Sequence, residues 1–157
     1  MNDPVYDVVM AIHVLAGIVG FGALGSTGAY AAAIRRAADP ISSAAIRRYF
    51  TPGRNWAARA IMLVPILGGV MLALNRGDDA RSAWPWIGLA LWALAVALAS
   101  AVIWPGERLV QAAFAAPEGT DGFRQELTAT AARIERAAAL TSLLFVAAFV
   151  VMIWQPV

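Results

Sequence analysis

Charged residues fall in short blocks along the 157-residue chain, and four apolar stretches run between them. The first covers about residues 5–34 and carries no charged side chain between Asp7 and Arg35; the second covers about 55–75, the third about 83–104 and the last about 122–154, apolar from Ala137 onward. About 20 apolar residues rising about 1.5 Å each cross the hydrocarbon of a bilayer, so each stretch is long enough to span. The run "LALWALAVALA" alternates as a strand would, but both alternating sets are apolar, and a lone sheet leaves its edges unsatisfied in lipid. The pattern predicts an all-α protein, a four-transmembrane-helix bundle forming one integral membrane domain over residues 1–157. Local signals place the ends. Asp3 and Pro4 suit the cap and first turn of the first helix, Pro65 bends the second, Ser82 and Pro85 open the third, and Pro105 with Gly106 stops it.

The polar blocks hold structure of their own. "DPISSAAIRRYF" places Asp39 and Pro40 in cap positions and Ile41, Ala45 and Tyr49 on one face, a short interfacial helix ended by "TPGRN". "TDGFRQELTATAARIER" puts Phe123, Leu127 and Ile134 on one stripe and runs unbroken into the fourth span, which predicts a cytoplasmic extension of that helix. Its mixed charges suit a solvated face, or a docking surface for a cytoplasmic partner. Arg35, Arg36, Arg47, Arg48, Arg54 and Arg59 lie between or beside the first two spans, and Arg108, Arg124, Arg133 and Arg136 between the last two, against Arg76 and Arg81 on the opposite side. The positive-inside rule then turns both termini outward. Trp84, Trp86 and Trp154 mark the outer interface and Trp56 and Trp104 the inner one, while Trp92 sits mid-span.

Composition sharpens the class. Hydrophobic residues make up 61% and the mean hydropathy is +0.67, where a soluble domain is about half apolar. The formal charge of +2 is spread over separate loops, which gives no nucleic-acid patch. Absence of cysteine removes disulfides, thiolate catalysis and thiolate metal sites, and every cationic side chain is arginine, so no lysine offers an amine. The acidic start "MNDPVYD" and the long apolar run behind it read as a retained helix, not a cleaved signal.

Small residues predict how the helices pack. Gly22, Ser26, Ala29 and Ala33 form a small-residue seam on the first helix, and Ala93, Ala97 and Ala101 a similar one on the third. On the other face of the first helix stand His13, Ala16, Gly17 and Gly20, with Gly68, Gly69, Trp92 and Phe145 or Val146 expected at the same depth. His13 is the sole histidine. Three readings fit it. The glycines Gly17, Gly20, Gly68 and Gly69 allow tight crossings, with His13 bonded to a carbonyl or to the Trp92 indole. Alternatively the ring is an axial haem ligand, with the glycines and Trp92 lining the cofactor site. Met10, with Met71 and Met152, would instead make His13 part of a Cu(I) site. Arg59, near the inner interface, reaches headgroups or closes that end of the bundle. No acidic residue falls between Asp7 and Arg35, across 55–75 or 84–104, or from Ala137 onward, which argues against a proton-driven transporter, and no nucleotide or serine-hydrolase motif occurs.

The segments "IHVLAGIVGFGALG" and "AARAIMLVPILGGVMLAL", after an outward N-terminus and around a basic loop, resemble small bacterial four-helix membrane proteins. The chain resembles most the integral membrane family named domain of unknown function 2269, and more distantly the copper-resistance D-type membrane domain and the small membrane protoporphyrinogen oxidases. The oxidase resemblance implies a haem role for the first-helix histidine, here His13; that family also uses a membrane lysine, and this chain has none. The expectation is a multi-pass protein of the bacterial cytoplasmic membrane, in contact with lipid, non-enzymatic, and acting as a subunit or ligand-holding partner of a larger assembly or homo-oligomer. The competing class is a haem-dependent oxidoreductase, or a Cu(I)-handling protein. The arginine bias makes a first prediction: a cysteine replacing Asp78 labels with an impermeant thiol reagent in intact cells and one replacing Ser43 does not. The reverse pattern inverts the orientation.

Overall fold

A computed structural model describes residues 4–75, 78–115 and 121–155. Helix α1 (Pro4–Arg36) makes the first crossing. The second is a 3-10 segment, Arg54–Met62, continuing into α3 (Leu63–Leu74); the third is α4 (Trp84–Leu98), a π turn at Ala99–Ile103, and α5 (Trp104–Ala115); the fourth is α6 (Asp121–Trp154). Helix α2 (Ala44–Tyr49) and a 3-10 turn, Asp78–Arg81, lie in the connections. Four helices are thus long and apolar enough to cross a membrane, and there is no strand among the described residues. An even number of crossings puts both termini at one end, leaving the arginine-bearing connections at the other, here called the arginine-rich end. Helix α1 packs against α6 and the second crossing, and the third crossing packs on α6.

Burial is uneven along the bundle. Leu24, Ile34, Phe50, Ile61, Ile103, Val110 and Ile134 are the large apolar side chains fully enclosed, together with Thr27 and Thr141, and they occupy its middle and arginine-rich end. Toward the termini the buried positions are mostly small ones such as Ala16, Gly17, Gly88 and Ala148, so that end stands open.

The third crossing runs on through Pro105, contrary to the stop expected there. Proline lacks the N–H that would bond the carbonyl four residues back, and here the turn widens: the Trp104 N–H reaches the Ala99 carbonyl, five residues back. A π turn adds one residue to the helix and rotates everything after it by about 100°. Gly106 then sits beneath Ile134, with Glu107 and Val110 buried beyond it.

Both expected seams prove to be on outward faces. Gly22, Ser26 and Ala29 are exposed, and a Cβ at Gly22 would meet nothing within 4 Å. Ala93, Ala97 and Ala101 are exposed as well, whereas Ala95 and Ala99 are buried. Close approach occurs on the His13 face and its continuation. A Cβ at Gly20 would stand 2.5 Å from the Ile61 backbone nitrogen, and one at Gly28 2.5 Å from the Ala138 Cβ. In lipid there is no hydrophobic preference between helix faces, so small residues alone do not say which face meets a neighbour.

The interfacial helix is shorter than expected. Residues 39–42 form a turn in which Asp39 Oδ1 accepts from the Ile41 N–H at 3.2 Å, and α2 starts at Ala44. Its buried residue is Ile46, followed by Phe50, while Ala45 faces out. The extension of α6 is present, and Leu127 and Ile134 are buried there; the Phe123 side chain lies outside the described residues.

Substitutions should separate the faces. Gly→Ala in a helix gains about 1 kcal/mol from propensity, while overpacking costs about 1–3 kcal/mol. Gly22→Ala is therefore neutral or stabilising in detergent unfolding. Gly28→Ala is destabilising, and Gly20→Ala more so because its clash is with backbone. An equal response from all three would contradict this packing.

Candidate functional site

His13 opens on a small cleft at the termini end, about 60 Å³ in volume, walled by Gly17, Phe21, Gly88, Trp92, Phe145 and Met152 among others. All four crossings contribute to the wall, and small residues on α1, α4 and α6 keep it open. A Cβ at Gly17 would lie 3.6 Å from the Phe145 ring, one at Gly68 3.5 Å from His13 Cε1, and one at Gly88 3.4 Å from the Met152 methyl. Phe145 stacks on Phe21, with centroids 4.6 Å apart. Against this apolar lining the imidazole is the lone titratable group; its enclosed Nδ1 makes no hydrogen bond of full geometry, and the backbone group acting on the ring is that of Val64 on the second crossing.

Trp92 does not bond to His13. Its indole N–H donates to the Ile61 carbonyl at 2.8 Å. Ile61 stands in the last turn of the 3-10 stretch, where the Leu63 N–H also points at its carbonyl; Pro65, four residues on, has no N–H to offer it, and the indole supplies the side-chain donor in that place. Trp92 thereby fastens the third crossing to the second, and it lines the cleft as well.

A second polar group lies at the arginine-rich end. Glu107 is the buried acid among the described residues. Its Oε1 accepts from Thr27 Oγ1 of α1 and from Asn55 Nδ2 of the 3-10 segment, both at 2.9 Å. Tyr49 of α2 stands 2.9 Å from the same Thr27 oxygen and stacks on Tyr30, with centroids 4.0 Å apart. Burial pushes the Tyr49 phenol up from its ordinary value, the Thr27 hydrogen bond opposes this, and Glu107 and Tyr30 add to the rise. The phenol is therefore a proton donor at neutral pH. Arg59, exposed and further along the 3-10 segment from Asn55, is close enough for its charge to act on Glu107. Outside this cluster Arg35 pairs with Glu135, and Arg124 Nη2 lies 3.8 Å from Asp39 Oδ1.

The model of one protein family, described as predicted integral membrane protein (DUF2269), matches residues 7–156. The chain belongs to the DUF2269 family. No curated protein and no solved structure matches it significantly. The match covers all four crossings of this DUF2269 member, and so both the cleft and the buried acid fall within the family's domain.

The site residues expected from the sequence are partly brought together. His13, Gly17 and Trp92 share the cleft, and Gly68 packs against the imidazole. Gly20 lies beneath the Ile61 backbone, and Gly69 is exposed with nothing near its Cβ position. Of the sulfur ligands, Met152 reaches the cleft, whereas Met10 is exposed and Met71 half-buried, both off its walls. Val146 faces outward at the depth where Phe145 turns in.

Glu107 is the residue that reading by breakers misses: it stands just past the apolar segment as bounded at Pro105 and Gly106, in the helix that continues through them. A signal was present: Ile103, Gly106, Glu107 and Val110 keep helical spacing straight through Pro105, and all four are buried.

The Trp92 contact generates a test. Trp92→Phe removes the donor and should cost about 0.6 kcal/mol, the mean for hydrogen bonds between membrane helices. In a Pro65→Ala background the helix supplies its own N–H to Ile61, and the same change should cost less. Equal costs in the two backgrounds, in a double-mutant cycle of detergent stability, would show that the indole does not replace the missing donor.

Proposed function

We propose that this DUF2269 member is a non-enzymatic, ligand-holding subunit of an assembly in the bacterial cytoplasmic membrane, and that its cleft receives an apolar molecule or segment bringing one polar atom to His13. The observation that carries this reading is the enclosed Nδ1 without a partner, in a cleft that is otherwise apolar. A polar atom left unpaired away from water costs free energy until something bonds to it. Apart from the Trp92 indole, already bonded to Ile61, no second polar side chain stands in that wall, and the Val64 backbone reaches the ring without making a full hydrogen bond to Nδ1, so an occupant can supply the completing atom. One imidazole among apolar walls suits holding better than turnover, since acid–base work on a bound molecule ordinarily places a positioned partner beside the titrating group.

The haem reading finds less support. His13 and Met152 are both residue types that ligate haem iron, and both line the cleft. The room that a macrocycle would need beside the ring is taken: Phe145 covers Gly17, and Ile61 covers Gly20. The cleft of about 60 Å³ is well below the roughly 300–1,000 Å³ of ordinary cofactor and ligand sites. These residues as folded do not fit the group.

The test pairs His13→Gln with Gly17→Leu. Glutamine keeps a donor and an acceptor, so His13→Gln should leave the fold within about 1 kcal/mol of wild type while abolishing retention of the molecule that co-purifies from the membrane, read by native mass spectrometry. Gly17→Leu should cause the same loss by filling the cleft while leaving the imidazole in place. Retention unchanged in both folded variants rules out the cleft as the holding site. An absorbance spectrum of the same wild-type preparation with a stoichiometric Soret band replaces this reading with the haem one.

A further inference from the structure

Thr27 Oγ1 carries one proton and has three polar atoms in reach: Glu107 Oε1 at 2.9 Å, the Tyr49 hydroxyl at 2.9 Å and the Ala23 carbonyl at 3.1 Å. The Tyr49 hydroxyl also reaches the Ala23 carbonyl, at 3.3 Å. Two arrangements of protons satisfy this set. With Glu107 ionised the carboxylate only accepts, so Thr27 donates to Oε1, Asn55 donates to the same oxygen, and Tyr49 donates to Thr27. With a proton on Oε1 the carboxyl O–H donates to Thr27 Oγ1, and the Thr27 proton turns to the Ala23 carbonyl. Oε1 is then a poorer acceptor, and the bond from Asn55 weakens because it no longer ends on a charge.

Position favours exchange with water. Trp84 to Trp104 is 20 residues, about 30 Å of helix and about the hydrocarbon thickness, so Glu107 lies about one turn beyond it. The residue keeps 7% of its surface accessible. Among the described side chains, the charged and titratable groups that face it are Arg59 from the 3-10 segment and Tyr49 from α2, with Tyr30 of α1 behind Tyr49. On the α6 side, the neighbours of adjacent Gly106 are the uncharged Ile134 and Thr130.

We propose that Glu107 is a reversible proton-binding site whose protonation reverses the Thr27 hydrogen bond, releases Asn55 and loosens the 3-10 segment from the third crossing. Three crossings meet at this carboxyl, through Thr27 on α1, Asn55 on the second and Glu107 on the third. One proton taken from the water at the arginine-rich end thus acts on how they hold together.

The experiment uses the full chain in lipid nanodiscs. Because the protein has no cysteine, Ala58→Cys, at a position 1% exposed in the 3-10 segment, is a unique reporter, and its maleimide labelling rate is normalised to that of exposed Ser42→Cys. Infrared titration follows the C=O stretch of the protonated acid. An acid band absent from Glu107→Gln should appear with a midpoint between about pH 4 and about pH 9, the span from free to deeply buried glutamate. The normalised labelling rate should rise about fivefold at the same midpoint, as loss of one charge-assisted hydrogen bond permits. Glu107→Gln should remove the pH step in labelling, and Asn55→Ala should move both midpoints upward, since a donor to the charged form is gone. No band in that range, a labelling step that survives Glu107→Gln, or midpoints that stay put in Asn55→Ala would each overturn the proposal. If Glu107→Gln does not fold, the wild type and Asn55→Ala decide: band and labelling midpoints that move together support it, and midpoints that part overturn it.

Discussion

Lipid offers no hydrogen bonds, so a carbonyl that proline strips of its helical partner has to find another inside the protein. Two such places shape this bundle. At Pro65 the donor comes from another crossing, the Trp92 indole. At Pro105 the helix continues by widening into a π turn, with the Trp104 N–H on the Ala99 carbonyl. The first solution ties the second crossing to the third beside the cleft. The second re-aims the end of the third crossing, so that Gly106 meets Ile134 and Glu107 turns toward Thr27 and Asn55. Both polar centres of the molecule therefore stand next to a proline within a crossing.

Packing divides the same way. Around Gly20, Gly28 and Gly106 the helices approach until no Cβ fits without displacement, and the large buried side chains cluster from there toward the arginine-rich end. Near His13 the contacts loosen to ordinary van der Waals distances, with Phe145, Trp92 and Met152 around an incompletely filled space. The tight end fixes the crossings relative to one another, and the loose end leaves the His13 cleft incompletely filled.

The two centres differ in kind. Glu107 has its hydrogen bonds supplied by the chain, from two other crossings, and its chemistry is a matter of where protons sit. His13 lacks that completion. Membership of the DUF2269 family covers both, and they stand at opposite ends of the bundle: one near the termini, the other toward the arginine-rich end.

The sequence by itself determined the class and the crossings. Apolar run length is a property of the chain alone, because about 20 residues must cover a fixed thickness, and four crossings with an arginine-bearing end follow from it. It also singled out His13, as an ionisable group where lipid makes one costly, and set Gly17 and Trp92 at its depth. Which faces touch was decided only by the tertiary structure. Gly22 with Ser26 and Gly20 with Gly28 are equally good seams by spacing, and nothing but the position of Ile61 and Ala138 distinguishes them. Likewise Pro105 reads as a stop when only the helix before it is considered, since the missing N–H is a local fact. Whether the helix continues depends on what the following turn gains, and here it gains the burial of Gly106 and Val110 against α6 and two hydrogen bonds to Glu107 from crossings distant in sequence.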